Sequence, residues 1–461
     1  MKRQQALGYR GSFALACSMQ RDHWTSRFGF IMATAGSAVG LGNIWKFPYM
    51  AGAHGGGAFL VLYLVCVLGF GLSLVIAELL VGRMSRLNPV GAYRKVAGGA
   101  WPAVGALGVF TAIIILSFYC VVAGWTIAYL VYAVEGTLTP TRAGGLDALF
   151  DNLIGSGLTP LLYAFGFVIA TILIVARGVG RGIERASKLF MPLLVVLLLV
   201  MAIRALTLPG ATDGLWFFLK PDFSALDGAT ASAALGQAFF SLSLGLGGLI
   251  TYGSYMSSQQ HLGRDALAVV LLDTGIAILA GLMIIPTMFA AGMTPDQGGP
   301  GTTFKVLPAV FASLPGGHWI AIGFFALLVL AALTSSISML EPVVAYLVDE
   351  RRVSRTKAAW LAGAVCMMLA VPVSLSFGAW QGVTLFGMTL FGLFDYFASN
   401  LSLPFGGLMI AIVVGWILGP KAIAAIGPAG STPGLWAQGW LFVVRFIAPA
   451  GIVWILVQGL L

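Results

Sequence analysis

The chain is predicted to be an all-α polytopic membrane protein of about eleven transmembrane helices, a five-plus-five inverted repeat with broken helices 1 and 6. Three observations predict it. Hydrophobic residues fill 59% of the 461 positions and charged residues only 9%, too little polar surface to cover a water-soluble particle of this size. Apolar segments of about 20 residues, the length that crosses a bilayer, recur along nearly the whole chain. The first and sixth of these are interrupted at mid-span by glycines and polar residues, and paired breaks in corresponding halves point to a binding site within an inverted repeat.

The spans fall near residues 27–50, 57–82, 104–134, 158–176, 188–206, 229–257, 265–293, 317–348, 356–374, 390–419 and 436–460. This divides a single transmembrane domain, 26–461, into repeats at about 26–206 and 229–419, with an extra helix at about 436–460. Residues 1–25 read as a cytoplasmic N-terminal tail, because the Phe13–Cys17 run is too short for the apolar core of a signal peptide. Lysine and arginine set the orientation. Of the 25 in the chain, most lie in the tail and at the same ends of the spans, as in Arg83, Arg86, Arg94 and Lys95, then Arg177, Arg181, Arg185 and Lys188, then Arg351, Arg352, Arg355 and Lys357. That asymmetry places the N-terminus inside. It also accounts for the net charge of +9 without nucleic acid. The outer stretches 135–157, 207–228 and 294–316 are the longest polar ones, rich in turn-forming residues.

Span one holds Gly36-Ser37-Ala38-Val39-Gly40-Leu41-Gly42-Asn43, followed by Lys46 and Pro48. Each glycine costs roughly 1 kcal/mol in a helix interior, so the helix is expected to break there, freeing backbone groups that hydrocarbon tolerates only where they line a cavity or bind a ligand. Gly36 and Gly40 also have the spacing of a helix-packing face; Asn43, Lys46 and the matching break in span six favour the binding reading. That second break lies in Gly236–Gly248, GQAFFSLSLGLGG.

Charges within spans are few and therefore informative. Lys46 and Asp395 lie near the outer ends of spans one and ten, as a closing pair or with Lys46 snorkelling. Glu78 in span two needs donors that a broken backbone can supply. Asp273 in span seven reads either as a cap or as a fixed negative charge beside a sodium ion. Glu341, just before Pro342, is expected to bond to backbone freed by that proline. Thr334-Ser335-Ser336 offers hydroxyls suited to a hard cation. The four histidines and four cysteines form no catalytic, metal or disulfide spacing, and no phosphate loop is present. The chain is expected not to be an enzyme or an ATP-driven pump.

Together, RDHW at 21–24, GSAVGLGNIWKFPY at 36–49, GGGAF at 55–59, GQAFFSLSLGLGG in span six and LTSSIS at 333–338 resemble the neurotransmitter:sodium symporters, in particular their bacterial amino-acid branch. The resemblance implies one sodium site from Ala38, Asn43, Ser241 and Asp273, and a second from Gly36, Val39, Ala331, Thr334 and Ser335. It implies that the substrate carboxylate meets the amides of Leu41 and Gly42 and the hydroxyl of Tyr119. The substrate amine would face carbonyls of Ala38, Phe240, Ser241 and Ser243. The side-chain pocket would comprise Ile115, Phe240, Ser243, Leu246, Ser335 and Met339, with no charge, so a neutral, hydrophobic amino acid is expected. Gly40, where monoamine-transporting relatives carry Asp, leaves room for the substrate's own carboxylate.

The implied gates are Lys46 with Asp395 outside, and Arg21 with Asp349 inside near Trp24, Ser254 and Tyr255. Lys46 stands where the family usually has Arg, which removes a bidentate clamp. Gly182 and Pro192 resemble the family's inner unwinding motif in span five. Asp273 replaces the usual Asn, and Ala277 the Ser of chloride-dependent members. The expectation is therefore sodium-coupled, chloride-independent import of a neutral amino acid by alternating access, with Asp273 exchanging a proton on the return step. The setting would be the lipid bilayer of a bacterial inner (plasma) membrane. The other expectation is a non-transporting amino-acid sensor on the same fold. Ser37 has no assigned role.

Overall fold

The computed structural model describes residues 22–138, 145–293, 300–428 and 434–460. Among the described residues, nine helices are long and apolar enough to cross a membrane, and the pair Arg27–Ala38 and Gly42–Ala53, bent by 56°, adds a tenth crossing. Helices Gly228–Ser241 and Gly248–Ser254, separated at residues 242–247, occupy the place of the predicted sixth span. The spans follow the predicted order, with span two at Gly57–Ser85, span three at Pro102–Val134, span four at Thr159–Ala176, span seven at Leu262–Ala290 and span eight at Gly317–Arg351. Spans nine to eleven are Arg355–Leu375, Leu390–Leu418 and Trp436–Gln458.

Two regions depart from the sequence expectation. Span five begins at Val179 rather than near 188, because a π-helical turn, Val179–Glu184, continues directly into the helix. The outer stretches expected to be turn-rich instead contain helices Gly145–Gly155, Ala211–Leu219 and Pro300–Ser313. The first buries Leu146, Leu149, Phe150 and Leu153, an i, i+3, i+4, i+7 stripe that a composition count of turn formers overlooks. Phe150 stacks on Phe304 at 5.4 Å, and both pack edge-on against Trp125 of span three. Helices Gly145–Gly155 and Pro300–Ser313 thus pack over the same end of spans three and eight.

The two breaks have local causes. In span one, Val39 leaves the helix with extended backbone (φ −71°, ψ 114°), and a π-helical turn at Gly42–Lys46 restarts it. In span six, Ser243, Gly245 and Gly247 all have positive φ, which glycine adopts readily and serine does not. At Gly245 a Cβ would collide with the Leu403 carbonyl, so close packing against span ten also requires glycine. The freed Gly245 amide donates to Glu78 Oε1 at 2.7 Å. That buried carboxylate of span two therefore satisfies the broken backbone.

Candidate functional site

The two breaks face each other at the centre of the bundle, where span seven brings Asp273 to them. Asn43 Nδ2 donates to Asp273 Oδ1 at 2.7 Å and to Ser241 Oγ at 3.0 Å. Ser241 Oγ donates to Asp273 Oδ2 at 2.7 Å. Asn43 Oδ1 accepts from the Gly40 amide at 3.2 Å, tying the cluster to the break itself. All three side chains are buried, and among the described residues no side-chain cation pairs with Asp273. A buried carboxylate held only by neutral donors favours a cation or a proton beside it. Tyr63 of span two also donates to Ser241 Oγ, at 3.3 Å; the sequence reading missed this residue, since a tyrosine in an apolar run carries no signal of its own.

A second oxygen cluster lies on the other side of span one. Ser335 Oγ donates to the Val39 carbonyl at 2.7 Å and lies 3.5 Å from that of Gly36. Thr334 Oγ1 donates to the Ala331 carbonyl at 2.9 Å and lies 3.4 Å from that of Val39. Hydroxyls and carbonyls alone, with no acid, make a neutral oxygen set of the kind hard cations accept.

Between the clusters, the Leu41 amide points at the Tyr119 hydroxyl at 3.5 Å. A Cβ on Gly40 would lie 2.5 Å from Ser335 Oγ and 3.2 Å from the Tyr119 hydroxyl, and one on Gly42 would lie 2.6 Å from the Phe240 ring. A side chain at either position would therefore have to displace Ser335 or Phe240. Ala38, Ile115, Leu246 and Met339 are buried. Ser243 Oγ donates to the Ser37 carbonyl at 3.2 Å, so Ser37, without a role in the sequence reading, joins the two broken helices through its backbone.

The expected outer pair is not an ion pair in this structure. Lys46 Nζ sits 4.0 Å above the Phe240 ring centroid, while Asp395 accepts from Ser399 Oγ at 2.9 Å. An ammonium is attracted to the electron-rich face of an aromatic ring. On the inner side, Arg21 lies outside the described residues. Asp349 accepts from the Asn88 amide at 2.9 Å and its Nδ2 at 3.2 Å. Trp24 Nε1 donates to the Tyr252 carbonyl at 3.1 Å, its ring packing edge-on against Tyr252 and Tyr255. Ser254 Oγ turns back to the Thr251 carbonyl at 2.5 Å.

Glu341 corrects the sequence reading. It does not bond to the backbone freed by Pro342; it accepts from the Tyr255 hydroxyl at 2.6 Å and pairs with Arg355 at 2.5 Å. Arg355 also lies 3.7 Å from Asp22. A fully buried acid demands a cation, and Arg355, the first residue of span nine, supplies it across the short turn after span eight. A second inner tie was missed altogether. Glu184 in the π-helical turn of span five accepts from Thr25 N at 2.7 Å, Thr25 Oγ1 at 2.6 Å and Ser26 Oγ at 2.9 Å, and pairs with Lys188 at 2.6 Å.

Comparison with known proteins adds an independent line. The profile of the "Sodium:neurotransmitter symporter family" matches residues 21–144 and 154–461. The uncharacterized sodium-dependent transporter YhdH of Bacillus subtilis is 39% identical, over 93% of this chain and 96% of its own length. The human sodium- and chloride-dependent GABA transporter 2 is 28% identical, over 88% of this chain and 74% of its own. Among solved structures, that of MhsT in complex with L-phenylalanine superposes with a TM-score of 0.87 at 45% identity, covering 95% of this chain and all of that one.

Proposed function

This chain belongs to the sodium:neurotransmitter symporter family and is a sodium-coupled amino-acid symporter; from that premise we propose that it imports a neutral, hydrophobic amino acid without chloride. The observation that carries the chloride reading is Asp273. Its buried carboxylate, bonded to Asn43 and Ser241, supplies a fixed negative charge beside the first sodium ion, and Ala277 next to it in the same helix offers no hydroxyl to hold an anion.

In this reading, the first sodium ion takes Asn43, Ser241, Asp273 and the Ala38 carbonyl. The second takes the carbonyls of Gly36, Val39 and Ala331 with Thr334 and Ser335. The carbonyl end of the inner half of span one favours cations, and the amide end of its outer half, at Leu41 and Gly42, favours the substrate carboxylate beside Tyr119. The amine meets carbonyls of Ala38, Phe240, Ser241 and Ser243. The side chain lies among Ile115, Phe240, Ser243, Leu246, Ser335 and Met339, all uncharged, and Gly40 keeps space for the carboxylate.

Transport follows from differential binding. Ions and substrate satisfy the broken backbone together, so only the fully loaded or fully empty carrier rocks readily, spans one, two, six and seven against the rest. Lys46 and Asp395 draw together as the outside closes. On the inside, Trp24, Ser254, Tyr255 and the Arg21–Asp349 pair part as the site opens to the cytoplasm of a bacterial cell, and Asp273 takes a proton for the return. The test is thermal stability of the purified protein with each common amino acid, with and without sodium. L-Phenylalanine, the ligand of MhsT in its solved complex, is expected to raise the midpoint only when sodium is present. Stabilisation by charged amino acids alone would contradict the proposal.

A further inference from the structure

Between spans nine and ten the chain forms a short hairpin. Strands Thr384–Leu385 and Met388–Thr389 pair antiparallel, joined by Phe386 and Gly387, both with positive φ. A two-residue loop of this kind favours Asn-Gly, and a bulky aromatic residue at positive φ is a conformational outlier that points to a use. Here the aromatic residue is not packed against the protein, for Phe386 is 90% exposed. Every residue from 379 to 387 is exposed, with Trp380, Val383 and Leu385 among them.

Charge makes the same point independently. The other long outer stretches carry charged residues such as Glu135, Asp147, Asp151, Asp213, Lys220, Asp222 and Lys305, but no charged residue occurs between Lys357 and Asp395. A water-facing loop gains nothing from that composition. A loop at the headgroup boundary does, because aromatic residues favour that depth. The hairpin is continuous with the lipid-facing side of span nine, where Leu361 and Met368 are exposed.

We propose that residues 379–389 are a membrane-interface anchor that seats Phe386 and Trp380 in the outer leaflet of the bilayer. The anchor is rigidly joined to span ten. Thr389 Oγ1 accepts from the Gly392 amide at 3.2 Å, and Ser376 Oγ from the Phe391 amide at 3.3 Å. Helix Leu390–Tyr396, which carries Asp395, begins directly after the hairpin. Lipid therefore holds the outer end of the helix that bears one outer gating residue.

The test places a nitroxide at Phe386→Cys in the full-length protein carrying Cys17→Ser and Cys66→Ser, since Cys120 and Cys366 are fully buried. The protein is reconstituted in vesicles of phosphatidylethanolamine and phosphatidylglycerol. The anchor predicts that collisions with oxygen, which partitions into lipid, exceed those with a water-soluble nickel chelate. Preferential nickel collisions would overturn it, and so would an immobilised label reached by neither, which would mean a contact with a second copy of the chain. If Phe386→Cys fails to fold, Trp380→Cys carries the same label and the same criteria.

Discussion

Replacing Asp273 by Asn tests the charge at the first ion cluster, because the change keeps the side chain's shape and all but one of its hydrogen bonds. The new side chain still accepts from Asn43 Nδ2, now 2.7 Å from Oδ1. Its amide replaces Oδ2, the acceptor of the Ser241 hydroxyl at 2.7 Å, and since Ser241 Oγ already accepts from Asn43 and Tyr63, that one hydrogen bond is lost. The fold should therefore tolerate the variant with a change of about 1 kcal/mol or less, the size of one neutral hydrogen bond. What is lost is attraction between unit charges. At about 4 Å and an effective dielectric constant of about 20 that is about 4 kcal/mol, and partial compensation by rearranged dipoles leaves a fall in sodium affinity on the order of a hundredfold. The assay is sodium-dependent thermal stabilisation followed by uptake at graded sodium. Asp273→Asn together with Ala277→Ser should regain part of the lost uptake when chloride is present. Unchanged sodium affinity with full uptake, and the internal-pH dependence of the unaltered protein, would refute both the electrostatic and the proton-return reasoning.

Three further outcomes are expected. Gly40→Ala puts a methyl group 2.5 Å from Ser335 Oγ, so apparent substrate affinity in uptake should fall at least about tenfold, by a steric cost on the order of 1–3 kcal/mol; wild-type affinity would contradict the geometry. Ser335→Ala removes one oxygen from the second cluster and should lower apparent sodium affinity about tenfold, on the order of the 1.5 kcal/mol or more of a hydrogen bond to charge, with little change in thermal stability without sodium. Glu341→Gln leaves Arg355 half-satisfied by the Val175 carbonyl at 3.0 Å. Breaking a buried ion pair costs up to about 3–5 kcal/mol, so a clear drop in the melting midpoint is expected by scanning calorimetry, and none would show the pair to be incidental.

The breaks were legible because glycine and asparagine at mid-span contradict every local preference of a membrane helix. Gly36–Asn43 and the run through Gly245 stand out against apolar flanks, and the structure puts the breaks there. Asn43, Ser241 and Asp273 were singled out from separate spans, and in the structure they lie within hydrogen-bond reach. Other features had no local signature. The Glu341–Arg355 pair closes across a turn and depends on tertiary placement, and Tyr63 looks like any aromatic residue in a lipid-length run. Lys46 faces Phe240 rather than Asp395 because the choice between a ring and a carboxylate is settled by the exact approach of spans one, six and ten. The helices between spans carry a weak local signal because glycine and proline dominate those stretches and mask the apolar stripe of Leu146, Leu149, Phe150 and Leu153. Ser37 acts through its carbonyl, which no side-chain reading can see.

The central claim is that the two broken helices couple sodium to the movement of an amino acid across the membrane. Uptake of labelled L-phenylalanine into proteoliposomes tests it directly. An inward sodium gradient should drive accumulation above the external concentration, equally in chloride and in gluconate, and collapsing the gradient should release it. Sodium-dependent binding without accumulation would instead make the protein a sensor on this fold, and accumulation that requires chloride would remove the role assigned to Asp273.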